Sequence, residues 1–142
     1  VYMRISTKGR YGLRAMIYLA HRNNGGLVSL KNIAQTEGIS LRYLENIMRE
    51  LVVNGLVKSE RGKNGGFTLS KDPKDITLAH IILALEGDLS IVSCVEDPQS
   101  CERHCNCPTR EVWCQFSEII RQYFGSITLF SLLNKKRTKR EG

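Results

Sequence analysis

No apolar run in this chain approaches the roughly 18 residues that a membrane-spanning helix needs, so the sequence offers no such anchor. Cysteine is absent before position 94 and after position 114, which excludes a disulfide framework distributed through the fold. Histidine is scarce, with three in 142 residues, and no nucleophile–base constellation of a hydrolytic enzyme can be assembled. Internal repeats and long low-complexity linkers are also missing. The first 20 residues carry Arg4, Lys8, Arg10 and Arg14 spread through them, unlike a secretory leader, and a cytoplasmic location is expected.

Positive charge and clustered thiols are what the chain does have. A net charge of +7 in 142 residues points to polyanions, nucleic acid foremost and a membrane surface second. A hydrophobic fraction of 42% supports a modest core and one domain, or a small domain with an appended arm. All five cysteines, Cys94, Cys101, Cys105, Cys107 and Cys114, fall in a single stretch with the spacing C-x6-C-x3-C-x-C-x6-C. Disulfides usually need an even count and an oxidising compartment. Structural zinc prefers C-x2-4-C knuckles, and none is present. Iron–sulfur clusters are held by thiolates and tolerate wider loop spacings. Spacing favours a cluster while leaving zinc, redox thiols and plain packing open.

Residues 6 to 22 read as a helix with Tyr11, Met16, Leu19 and Ala20 on an apolar face, ended by Asn23-Asn24-Gly25-Gly26. Lys8, Arg10 and Arg14 lie elsewhere on it, as a solvated face or as phosphate contacts. Ser29 is placed to cap a short helix with Leu30, Ile33 and Ala34, and Gly38 to end it in a left-handed turn. Ser40 then caps a second helix. In it Leu41, Leu44, Ile47, Met48, Leu51 and Val52 form a stripe, opposite Arg42, Tyr43, Glu45, Asn46 and Arg49. Two helices across a glycine turn, the second with a hydrogen-bonding outer face, make a helix-turn-helix pattern. After Asn54-Gly55 comes a strand over residues 56–61, a turn at 62–66 and a returning strand at 67–70. The basic hairpin makes the unit a winged helix, with Arg61 and Lys63 at a tip that fits a narrow minor groove.

Thr77 caps a helix over residues 78–85, apolar nearly all round and stopped at Gly87. His80 within it reads as a packed or surface residue and not a ligand. Residues 88 to 106 read as a loop. Pro108 is placed in the first turn of a long helix reaching Phe124, with Val112, Phe116, Ile119, Ile120 and Tyr123 as its stripe and Trp113 beside it. That stripe exceeds what so small a domain can cover, and a dimerisation helix is expected. A short apolar turn at 128–133 and a basic tail follow. The expected fold is mainly α with a small β-hairpin. It divides into a winged helix-turn-helix DNA-binding domain over 3–87, a cysteine loop over 88–107, a dimerisation helix and turn over 108–134, and a basic tail over 135–142.

The segments MRISTKGRYGLRAM, ISLRYLENI, VKSERGKNGGFTLS, ILALEG and CPTREVW resemble the IscR, NsrR and CymR class of bacterial winged-helix regulators, with the likeness running from Met3 over nearly the whole chain. The resemblance implies a homodimeric transcription regulator binding a near-palindromic double-stranded DNA operator. The IscR-like branch implies a [2Fe-2S] cluster on Cys94, Cys101 and Cys107, with iron–sulfur assembly machinery as cluster donor. The histidine those members use as fourth ligand falls here at Arg110, which cannot coordinate iron, so His104 and Cys105 are the candidates. The acidic ligand of NsrR-like members falls at Arg10, and CymR-like members lack the cysteines. Cys114 lies seven residues beyond Cys107, roughly 10 Å along a helix axis, and reads as a core thiol.

The DNA-reading residues that the resemblance implies are Ser40, Arg42, Tyr43 and Asn46, with Glu45 setting selectivity and Arg61 in the wing; the residues themselves add Lys63 at the wing tip and Lys8 as a phosphate contact. The sequence therefore predicts a cluster-sensing regulator of the IscR-like kind and not an enzyme. The alternatives are a metal-free or zinc-bound repressor of the same family, for example one regulating cysteine metabolism, or an iron–sulfur or thiol redox protein.

Overall fold

The computed structural model describes residues 5–22, 26–89, 99 and 107–135. Helix α1 spans Thr7–His21, and its Ser6 cap accepts a hydrogen bond from the Gly9 amide. Helix α2 spans Leu30–Glu37, capped by Ser29 and closed by Gly38 at φ 65°, ψ 37°. Helix α3 spans Leu41–Val53, with the Ser40 hydroxyl accepting from the Tyr43 amide at 3.2 Å. The expected caps Ser29 and Ser40 and the left-handed Gly38 are in place, while Ser6, expected within the helix, is the cap of α1. The hairpin pairs β1 (Val57–Glu60) antiparallel to β2 (Gly66–Leu69), with Ser59 opposite Phe67. β1 is shorter than the sequence suggests, and β2 keeps its expected length but begins and ends one residue earlier. Leu56 turns inward as a core residue, and Arg61 already belongs to the turn.

A feature absent from the sequence reading completes the wing. Val28 forms an isolated antiparallel bridge to Phe67, with N–H···O bonds of 2.9 and 2.8 Å in the two directions. Val28, two residues before α2, thus acts as a single-residue third strand and ties the hairpin to the helix-turn-helix.

A 3-10 turn at Pro73–Asp75 leads to α4 (Leu78–Glu86). The Thr77 hydroxyl accepts from the His80 amide, and His80 Nδ1 accepts from the Thr77 amide, a reciprocal capping arrangement. His80 is therefore an exposed capping residue. The long helix α5 spans Arg110–Ser126, beginning later and ending later than expected. Pro108 is not in its first turn. Residues 108 and 109 form a separate turn closed by the Arg110 amide donating to the Cys107 carbonyl at 3.2 Å. Helix α6 (Leu129–Leu133) is capped by Thr128 and buries Leu129 completely.

The core gathers Met16, Ile33, Leu44, Ile47, Met48, Leu51, Ile76, Ile81 and Leu129, all fully buried, between α1, α3 and α4. Each such side chain contributes about 1.5–3 kcal/mol of hydrophobic free energy. Leu41, expected in the buried stripe of α3, is instead exposed, because it stands at the first helical residue beyond the reach of the core.

Helix α1 crosses α4 at very close range. A methyl group at Gly12 would meet Leu85, and one at Gly9 would meet the Glu86 carboxylate. The two glycines are the local reason the helices approach so nearly. Long helix α5 packs against α4 through one side only. Its other side carries Val112, Phe116, Ile119 and Tyr123 at 55, 36, 63 and 62% exposure. These four recur at helical spacing on one stripe. None of the helices built from described residues is long and apolar enough to cross a membrane.

Candidate nucleic-acid interface

Helix α3 divides cleanly between two environments. Leu44, Ile47, Met48 and Leu51 are sealed in the core, and this fixes the helix rotation. That rotation turns Arg42, Glu45, Asn46 and Arg49 to solvent. Tyr43 lies between, half-buried and edge-on to Tyr11, with ring centroids 6.0 Å apart at 76°. Ser40 has its side chain committed to the helix cap, at the end of α3 that carries the expected base-reading residues. Glu45 is 3.9 Å from Arg49, one turn on. Both are well exposed, so this pair contributes little and is readily exchanged for a contact to DNA. Arg61 and Lys63 are exposed at the wing tip, where Gly62 takes φ 116°. An exposed guanidinium carried on a rigid turn suits a narrow minor groove.

Two of the cations near α3 are otherwise engaged. Lys8 Nζ lies 3.0 Å from Glu50 Oε1, so a phosphate contact by Lys8 has to compete with an existing ion pair across α1 and α3. Arg14 Nε donates to Glu37 Oε2 at 3.0 Å, and its other nitrogen reaches the Glu37 carbonyl. The Glu37 side chain is 5% exposed. A carboxylate that deep needs a cation and hydrogen bonds to be tolerated, and Arg14 supplies both from α1. The carbonyl it holds is the last of α2, directly before the glycine turn. Arg14 therefore secures the turn between the two helices of the motif, and also lies over the Tyr11 ring at 5.3 Å. The sequence hint was present: Glu37 continues the Ile33–Ala34 face of α2, where a charge requires a partner.

Of the expected cluster ligands, Cys94, Cys101, His104 and Cys105 fall outside the described residues. Cys107 is described, half-buried, and stands three residues before α5. Its sulfur is 3.1 Å from the Thr109 hydroxyl. Either atom can be the donor in this contact, and a thiolate there would accept from the hydroxyl. The chemistry at Cys107 therefore fits a metal-bound sulfur. Arg110, at the place where IscR-like members have histidine, is the first residue of α5 and supplies no metal ligand. No cluster of three or more metal-ligating side chains occurs among the described residues. Cys114 is a half-buried free thiol one turn further along α5.

Residues 5–135 match the model of the Rrf2 family, described as an iron-dependent transcriptional regulator. The chain belongs to the Rrf2 family. Among its relatives, the CymR regulator of Bacillus subtilis is 43% identical over 92% of this chain and 89% of its own length. The IscR regulator of Photorhabdus laumondii is 37% identical over 94% and 81%. The solved structure of B. subtilis CymR, the global cysteine regulator, superposes with a TM-score of 0.75, covering 92% of this chain and 95% of that one. The structure of IscR from T. potens gives 0.73 at 39% identity, covering 92% and 85%. This Rrf2 chain is thus a winged-helix transcriptional regulator that binds DNA, and it is not an enzyme. Overall likeness runs to both the CymR and the IscR branches, so identity by itself does not assign the cluster.

Proposed function

We propose that this Rrf2 chain acts as a homodimer whose hold on a near-palindromic operator depends on a [2Fe-2S] cluster bound by Cys94, Cys101 and Cys107, with His104 or Cys105 as fourth ligand. The observation that carries the reading is the position of Cys107: its thiol, beside the Thr109 hydroxyl, leads directly into the helix with the uncovered apolar stripe. A second copy laid against Val112, Phe116, Ile119 and Tyr123 removes that stripe from water. Paired recognition helices then reach successive major grooves about 34 Å apart. When bound, the cluster would supply a multi-thiolate crosslink joining Cys107, just before α5, to Cys94 and Cys101. The segment's own residues do the rest: Gly87 and Asp88 anchor one end, Cys107 and Thr109 the other. A tenfold change in operator affinity requires only about 1.4 kcal/mol from this crosslink. Iron–sulfur assembly machinery is the expected cluster donor, and the cytoplasm the expected location.

A second reading has its own support. A relative at 43% identity is a CymR, and one solved structure is of a global cysteine regulator. On that reading the thiols are metal-free or hold zinc, and the same dimer represses genes of cysteine metabolism. Anaerobic reconstitution with iron and sulfide separates the two. The expected result is visible absorbance with two irons per protomer. Single Cys94→Ala, Cys101→Ala and Cys107→Ala variants should each lose it, while Cys114→Ala keeps it. A colourless product whose operator affinity ignores iron would leave the CymR-like reading standing. Sedimentation of the same samples checks the dimer.

A further inference from the structure

We propose that Glu86 is a positioning residue for DNA recognition, holding the first turn of α1 so that α1 in turn holds the recognition helix. The inference rests on the DNA-binding part of the reading above and not on the cluster. Glu86 is the last residue of α4, yet its carboxylate is spent on α1. Oε1 accepts from the Ser6 amide at 3.0 Å and from the Ser6 hydroxyl. That hydroxyl is itself the N-cap of α1, accepting from the Gly9 amide at 3.2 Å. A carboxylate at a helix N-terminus is favoured by the orphan amides and the helix dipole. Gly9 leaves this place open, since a Cβ there would crowd Glu86 Oε1 and displace the carboxylate.

Two residues beyond the cap, Lys8 crosses to Glu50 of α3 at 3.0 Å. One turn on, the methyl that Gly12 lacks would meet both Leu85 of α4 and, at 3.3 Å, Ile47 of α3. The first two turns of α1 are thus clamped between the end of α4 and the inner side of α3. Two residues beyond Glu86, Asp88 lies 3.5 Å from Arg121 of α5. The 86–88 corner therefore touches α1 on one side and the long helix on the other, at the point where the cysteine-bearing segment departs. Proximity alone does not establish that the pieces act together, so the test has to measure coupling.

A double-mutant cycle does this without reference to iron. The probe is a duplex that the wild-type protein selects from a random pool, and the readout is its dissociation constant for protein as purified. Glu86→Gln is expected to weaken binding about fivefold in the wild-type background. In the Glu50→Gln background, where Lys8 has already lost its partner, the same change should cost less than twofold. Thermal melting of each variant separates this from loss of fold, because a mere cap defect lowers stability equally in both backgrounds and adds independently to affinity. If Glu86→Gln does not fold, Ser6→Ala enters the same cycle in its place. Equal fold-changes in the two backgrounds, or no change in affinity from Glu86→Gln or Ser6→Ala, would overturn the proposal. Failure of cluster reconstitution leaves the cycle readable, so the two ideas fall separately.

Discussion

Leu44→Ala is expected to lower the stability of the folded chain by about 3 kcal/mol, within the range of about 2–5 kcal/mol seen when a fully buried leucine is truncated. Leu44 is 0% exposed and lies in the cluster that joins α3 to α1 and α4. The removed methyl groups lose their transfer free energy, and the cavity remains because neighbours such as Ile47 and Met48 are equally enclosed. For a chain of this size the melting temperature should fall by on the order of 10 °C. The next residue behaves oppositely. Glu45 is exposed, and Glu45→Ala should leave the melt nearly unchanged while altering which operators are bound. Thermal denaturation, with binding measured on a panel of duplexes, reads both effects. Equal melts for the two variants would mean that α3 is rotated about its axis from the placement described here. A uniform change of affinity across duplexes for Glu45→Ala would remove its selectivity role.

That contrast shows which parts of the molecule a sequence can report. The rotation of α3 was legible because four apolar residues recur at helical spacing, and the caps Ser29, Ser40 and Thr77 were legible because hydroxyls before apolar periodicity satisfy orphan amides, whereas Ser6 reads as helical in the sequence and is the cap of α1. The wing followed from strand–glycine–strand order. What was not legible depends on distant partners. Nothing local in Ser6 or Glu86 says that they meet across 80 positions. Nothing in Val28 announces a single-residue strand. Leu41 looked like core because periodicity cannot tell where a buried stripe runs past its neighbours. The thiols divide in the same way. Spacing identified the stretch, and a resemblance chose the ligands. The structure speaks only for Cys107 and Cys114, whose settings differ: one next to a donor hydroxyl at a turn, the other within a helix.

Gly66→Ala is expected to detach the wing from the helix-turn-helix. A Cβ at this position would sit 2.5 Å from the Val28 carbonyl oxygen, 2.8 Å from its carbon and 3.1 Å from its nitrogen. All three are backbone atoms, so no rotamer change relieves the clash, and the strands must separate. Separation breaks the reciprocal Val28–Phe67 hydrogen bonds, each contributing about 1 kcal/mol net. Residual crowding adds about 1 kcal/mol or more. The total of about 2–4 kcal/mol falls on one edge of the domain, so the recognition helix should keep its fold while the wing loses its bearing. Amide exchange at Val28 and Phe67 should accelerate strongly, with little change at Leu44 or Ile47. Operator binding should fall by at least as much as for Arg61→Ala, which removes the tip cation and leaves the strand contact whole. The direction of that inequality follows from the geometry: without the Val28 bridge both Arg61 and Lys63 lose their fixed placement at the wing tip, whereas Arg61→Ala removes one tip cation. Unchanged exchange at Val28 would mean that the third-strand contact does not hold in solution, and the wing would then have to be oriented by the hairpin alone.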